Sequence, residues 1–385
     1  MYLAPDASRM YDAIVVGGGI VGASAAYHLA RAGIDALLVD RRDEGRATDA
    51  GAGILNPPTS SRSESDAWFE FAVDAVGYYP ELAARLEREG ERDHGYAARE
   101  LLSVALDGEA VPAFEETRKR TERRSERVDS PAPDSFAERP PEAAIEAFPP
   151  LATPERVLHF ENAGRVDGRA FADALLAAAE GHGLDTLDAN VESIHVEGGA
   201  VEGVVADGDA REAETVVVAG GAWSTQFEDA LGVAIPVEPH RGQILHLSVD
   251  ADTSTWPIVG VVGHNYLVPW DGGRVVVGAT READSGFDPR RTVAGVRELV
   301  DAASRVAPGL RDATVDEIRV GLRPVARDRL PVLGPVPGVE GAYLATGHGA
   351  TGLMLGPYSG RLVAEMARGR EPATDPAPFH VSRFD

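Results

Sequence analysis

The chain has 385 residues, with 62 acidic and 37 basic side chains and a net charge of −25 at pH 7. At 44% hydrophobic and 26% charged it has globular composition, and its length suits two or more domains of roughly 100–200 residues. Absence of cysteine excludes disulfides, thiolate metal sites and a cysteine nucleophile. No apolar run reaches the roughly 18 residues of a membrane span, and the negative field disfavours nucleic acid as a partner.

Lys119 is the only lysine, which leaves 36 arginines. Surface carboxylates keep a protein soluble at about 1 M salt, where the Debye length is about 3 Å. A salt-rich cytoplasm is the preferred reading. A GC-rich genome, whose codons favour arginine over lysine, is the plain alternative. Residues 1–10 lack a basic stretch followed by an apolar one, so no secretory leader is expected and the location is predicted as cytoplasmic.

Asp12-Ala13-Ile14-Val15-Val16 reads as a strand ending in Gly17-Gly18-Gly19. Val21, Ala25 and Leu29 follow at helical spacing, Gly33 stops the helix, and Ala36–Val39 is a second buried strand ending in Asp40. This is a βαβ unit with parallel strands. Residues 57–150 differ: 68–75 and 80–89 look helical, 101–106 looks like a strand, and 112–127 is a charged helix. Its Glu115–Lys119 and Glu116–Arg120 spacings read as ion pairs on a solvated face. A helix follows Asp167, a hairpin spans 191–205 around Gly198-Gly199, and Thr215–Val218 is another buried strand. Residues 236–320 are mostly strands with one helix near 292–306, and the chain ends on a glycine-rich loop (347–349) leading into a helix that stops near Ala367.

Gly17-x-Gly19-x-x-Gly22 stands where a dinucleotide fold needs it. The first glycine makes the turn, the second lets backbone approach a pyrophosphate, and the third lets helix and strand pack closely. The pyrophosphate then meets the helix N-terminus. Asp40, at the end of the second strand, is placed to accept ribose hydroxyl bonds. The motif alone does not separate NAD from FAD.

Further segments resemble the glycine oxidase and D-amino acid oxidase family of flavoproteins. They are Thr48–Leu55, Val216–Ser224, Arg241-Gly242-Gln243, Tyr266–Pro269, Val275–Thr280, Gly321-Leu322-Arg323-Pro324 and Gly347-His348 with Gly352, in the family's order over nearly the whole chain. The resemblance implies an α/β fold in which a Rossmann-like, doubly wound FAD domain (10–56, 151–235, 321–385) is interleaved with a mostly antiparallel substrate domain (57–150, 236–320). It implies FAD held by Gly17, Gly19, Ile20, Val21 and Gly22, by Asp40 and Arg41 on the ribose side, and by Ala47 and Thr48, while the lack of any cysteine, and of a histidine in Thr48–Leu55, predicts that the link is not covalent. Ala52, Gly53 and Ile54 would run beside the flavin ring, and Val191 would hold adenine. His348, Gly349, Ala350, Thr351, Gly352, Leu353 and Met354 would lie under the pyrimidine end, where backbone N–H groups and a helix dipole favour negative charge.

For substrate, the family points to His264, Tyr266 and Arg323. An arginine fork matches a carboxylate in a bidentate way. The implied reaction oxidises the Cα–N bond of a small amino acid or N-methyl amino acid by hydride transfer to flavin N5. The imine then hydrolyses to a 2-oxo acid. Oxygen or a quinone is the acceptor, and a homo-oligomer is left open. Close glycine oxidases tend to carry a second arginine where this chain has Ala350, which leaves the expected pocket less basic. No metal is expected, because His240 and His246 lack ligand company. Rival readings are a flavin-dependent 2-hydroxy acid or polyol dehydrogenase, and a flavin subunit of an electron-transfer assembly.

Overall fold

The computed structural model describes residues 9–60, 65–128, 130–263 and 265–384. The chain opens with β1 (Tyr11–Val16), α1 (Ile20–Arg31), β2 (Ala36–Val39) and a short β3 (Ile54–Leu55). Next come α2 (Asp66–Glu89), β4 (Tyr96–Ala105), α3 (Val111–Val128), β5 (Phe136–Arg139), α4 (Pro141–Ala147), β6 (Arg156–Val166) and α5 (Gly168–Gly181). Then follow β7 (Asp185–Leu187), β8 (Val191–Glu197), β9 (Ala200–Ala206), β10 (Asp209–Val218), α6 (Glu228–Leu231), β11 (Val237–Ser248), β12 (Ile258–Val261), β13 (Tyr266–Trp270) and β14 (Arg274–Gly278). The chain closes with α7 (Val293–Val306), β15 (Thr314–Ala326), β16 (Val332–Pro335), β17 (Ala342–Thr346) and α8 (Gly352–Ala367).

Two sheets divide these strands. The first has the order β16-β17-β10-β1-β2-β7, with β9 on β10 and β8 on β9. Its centre, β17 through β7, is parallel, as the βαβ unit requires. Ala13 and Val15 face a core shared with α1, α2, α5 and α8, while Ile14 and Val16 face the β8–β9 hairpin and α6. Both faces are covered, so the central strands are apolar without alternation. The second sheet has the order β15-β11-β14-β13-β12-β4-β6-β3, with β5 on β6, and is antiparallel except where β12 meets β4. Val275 and Val277 pack towards α7 and Val276 towards Phe114 of α3, so this sheet too has two dry faces.

Three expectations need correction. The stretch 151–235 does not belong wholly with the nucleotide-binding sheet, because β6 pairs with β4 along its length. Likewise β3, and β15 past residue 320, hydrogen-bond in the second sheet. The two helical stretches at 68–75 and 80–89 are one helix running through Pro80, N-capped by Ser65, whose Oγ accepts from Trp68 N–H at 3.3 Å. Burial of Trp68, Phe71, Tyr79 and Leu82 carries α2 across the bond that Pro80 cannot donate.

The face of α3 is not simply solvated. Arg118 pairs with Glu115 and Glu122. Arg124 donates to the carbonyls of Pro57 (3.2 Å), Pro58 (2.9 Å) and Ser60 (2.8 Å), and Arg120 to that of Thr59 (3.2 Å). The helix thereby pins the loop that follows β3. No described helix is long and apolar enough to cross a membrane.

Candidate active site

The carboxyl ends of β1, β2 and β10 open onto a cavity of about 1090 Å³ that continues across the inner face of the second sheet. That volume is at the upper end of ligand pockets, roughly 300–1,000 Å³, and suits a dinucleotide with a small substrate beside it.

The glycine turn forms one end. Gly17 has φ +103°, a conformation open to glycine, and a Cβ there would stand 2.6 Å from the Ala219 carbonyl oxygen. Gly22 does not line the cavity. A Cβ on it would collide with the Gly17 carbonyl, so it serves helix–strand packing. Gly19 caps α1 without a side-chain hydrogen bond and lines the cavity, and Ile20 N–H donates to Thr48 Oγ1 at 2.9 Å. Such a cradle fits a pyrophosphate.

Gly17, Gly19, Ile20, Val21, Asp40, Arg41, Ala47 and Thr48 all line this part of the cavity. Asp40 accepts from Arg46 at 2.7 Å, and Arg46 also reaches Asp49 at 3.1 Å. Arg41 donates to Asn190 at 2.8 Å, pairs with Asp43, and lies over the Trp223 ring. Val191, at the start of β8, lines the same end.

Ala52, Gly53 and Ile54 run along the middle of the cavity, opposite the loop from His348 to Met354, all of whose residues line it. A Cβ on Gly53 would collide with the Val166 carbonyl, which fixes the chain against β6. The imidazole of His348 is 4% exposed, lies 2.9 Å from Ser359 Oγ, and is pushed by burial down to about 4. It is therefore neutral at pH 7. Its carbonyl accepts from both N–H and Oγ1 of Thr351, which shapes the turn into α8. α8 in turn packs on α1, where Gly360 lies against Val21 and Ala25 with no room for a Cβ.

The far end is built by β11, β13, β14 and β15. Arg323 sits opposite His240 in the β11–β15 register, and Tyr266 opposite Gly278 in the β13–β14 register. The guanidinium lies over Gly242 and the Tyr266 ring over Gly278, positions where any Cβ would collide with them. Arg323 Nη1 donates to the carbonyls of Thr280 (3.0 Å) and Arg241 (3.4 Å), and it makes no ion pair among the described residues. Burial lowers its pKa, the charge of Arg281 lowers it further, and Tyr266 and the Glu282 carboxylate act the other way. The carboxylate of Glu282 is engaged by Arg241 at 2.7 Å and by Gln243 at 2.8 Å. A partly buried cation that faces a cavity and makes no ion pair is suited to receive an anion. His264 lies outside the described residues.

Some cavity residues were missed from sequence. Ala113, Glu116, Thr117 and Arg120 form a wall from α3, at the i, i+3, i+4, i+7 spacing of one helix face. That spacing was readable, but polar side chains on a charged helix gave no sign of a cavity. Arg46, His240 and Arg281 had no signal at all in so arginine-rich a chain. The cluster His195, Glu197 and Glu202, the one group of potential metal ligands among the described residues, is exposed on the β8–β9 hairpin, away from the cavity.

Comparison with known proteins places this architecture. The sequence profile of a family described as FAD dependent oxidoreductase (DAO) matches residues 12–366. The chain is 39% identical to an uncharacterized oxidoreductase, YurR, of Bacillus subtilis over 96% of this chain and 98% of that protein. It is 32% identical to a glycine oxidase of Pseudomonas aeruginosa over 95% and 97%. The crystal structure of iminodiacetate oxidase from Chelativorans superposes with a TM-score of 0.91 at 35% identity, covering 96% of this chain and 98% of that one.

Proposed function

The chain belongs to the DAO family of FAD-dependent oxidoreductases, and from that premise we propose that it oxidises the Cα–N bond of a small amino or N-substituted amino acid. The observation that carries this reading is Arg323, a partly buried guanidinium that lines the cavity without an ion-pair partner among the described residues. The names of its relatives, glycine oxidase and iminodiacetate oxidase, support an amine beside a carboxylate.

In this reading the glycine turn, the α1 N-terminus, Asp40 and Arg41 would hold the adenosine and pyrophosphate portions of FAD, and the backbone of 348–354 would offer N–H groups to its flavin portion. Arg323 takes the substrate carboxylate on two N–H groups, which fixes Cα in one orientation and leaves the amine free to enter neutral. Tyr266 closes the same end of the cavity. Bound FAD supplies the two-electron oxidation that converts the amine to an imine, which water hydrolyses to a 2-oxo acid. A substrate bound as neutral amine needs no side-chain base.

Anaerobic mixing of the FAD-loaded protein with glycine, sarcosine, proline and D-amino acids tests the proposal. At least one should bleach the flavin absorbance. Bleaching by 2-hydroxy acids and by none of the amines would overturn it.

A further inference from the structure

The wall that holds Arg323 carries a second arginine that the reaction above does not use. Arg281 lies just beyond β14, between Thr280 and Glu282. Those two neighbours do not line the cavity, whereas Arg281 does. Thr280 Oγ1 accepts from Gln243 N–H at 2.9 Å and donates to Glu282 at 2.7 Å, which ties both side chains to β11. Arg281 makes no ion pair or hydrogen bond among the described residues.

In a chain with 62 acidic side chains, Arg281 and Arg323 thus share one cavity, which Arg41, Arg46, Arg120 and Arg329 also line, and neither Arg281 nor Arg323 makes an ion pair among the described residues. Two like charges in reach of each other raise the free energy of the empty site, and an anion between or beside them removes that cost. Glu116 lines the cavity from α3 and pairs with neither arginine. One substrate carboxylate satisfies Arg323 and leaves Arg281 unmatched. The arginine missing at Ala350 suggested a less basic pocket. Arg281 restores the second positive charge from a different element.

We propose that Arg281 receives a second carboxylate, so that the site selects small amino or imino acids bearing two carboxylates. This rests on the amine-oxidation reading for the identity of the substrate, but the binding claim is separable from it.

A matched pair without an oxidisable amine tests it: oxydiacetate, with two carboxylates, and methoxyacetate, with one. Both are titrated into the FAD-loaded protein and followed by perturbation of the flavin spectrum. Oxydiacetate should bind up to about fivefold more tightly, the scale of one ion pair at an exposed side chain such as Arg281. Arg281→Gln should bring that ratio close to one, and Arg281→Lys should keep part of it. Equal affinities in the native protein, or a ratio that Arg281→Gln leaves intact, would overturn the proposal. Tight oxydiacetate binding without bleaching by iminodiacetate, sarcosine or glycine would support the second site and remove the amine reading. Bleaching by sarcosine with no preference for the diacid would do the reverse.

Discussion

At the scale of single residues, the substrate end is defined by glycines as much as by the groups they accommodate. Gly242 leaves the space in which the Arg323 guanidinium lies, and Gly278 does the same for the Tyr266 ring. A methyl group at 242 would push the guanidinium out of its bonds to the Thr280 and Arg241 carbonyls. Gly242→Ala should therefore lower kcat/KM for an amino acid by at least about tenfold, mostly through KM. Such overpacking also costs about 1–3 kcal/mol of stability, so a thermal midpoint is measured beside the kinetics. FAD content should stay normal, because the atoms nearest to a Cβ at 242 all belong to Arg323. Unchanged kinetics would mean that the guanidinium does not need this position.

At the scale of elements, the loop into α8 couples the cofactor end to the core. His348 is buried, bonded to Ser359, and held at about 4, below the roughly 6.5 of an exposed histidine. Between these values the unfolded chain binds a proton that the native chain does not. The contribution is fully present above pH 6.5 and is lost as pH falls towards 4, an effect of about 3 kcal/mol at most. His348→Asn keeps a polar group for Ser359 and cannot titrate. Its urea midpoint should fall less steeply than that of the native protein between pH 6.5 and 4, whereas parallel curves would contradict the assignment.

The βαβ unit and the glycine loop before α8 were legible because their chemistry demands glycine at fixed positions. β6 was misplaced because its pairing with β4 is long-range and leaves no local mark. The α3 wall escaped notice because a charged face that binds loop carbonyls has the same sequence as one that binds water.

At the scale of the whole molecule, the charge of −25 acts against the compact state. Many ion pairs lie at the surface, such as Arg297–Asp301 with both partners well exposed, and such pairs contribute about 0–1 kcal/mol each. Screening should relieve net repulsion more than it weakens these pairs. The thermal midpoint should rise from dilute buffer to molar potassium chloride. A flat or falling trend would leave codon bias as the account of the arginine excess. The order of motifs along the chain made the two-sheet architecture readable. Which of the 36 arginines serve the site was not readable, since only the fold brings Arg281 and Arg323 to the cavity and pairs others, such as Arg46 and Arg241, with acids.

The measurement that bears most directly on the central claim compares anaerobic flavin reduction by the best amino acid and by its decarboxylated counterpart, in native protein and in Arg323→Ala. Removing one side of a buried charge pair costs about 2–5 kcal/mol, or roughly 30-fold to several thousand-fold in rate constant. That loss should fall on the amino acid, with the carboxylate-free amine changed by no more than a few-fold, FAD content normal, and Arg323→Lys recovering only part. Equal losses on the two substrates, or a native preference for the amine without a carboxylate, would contradict the account.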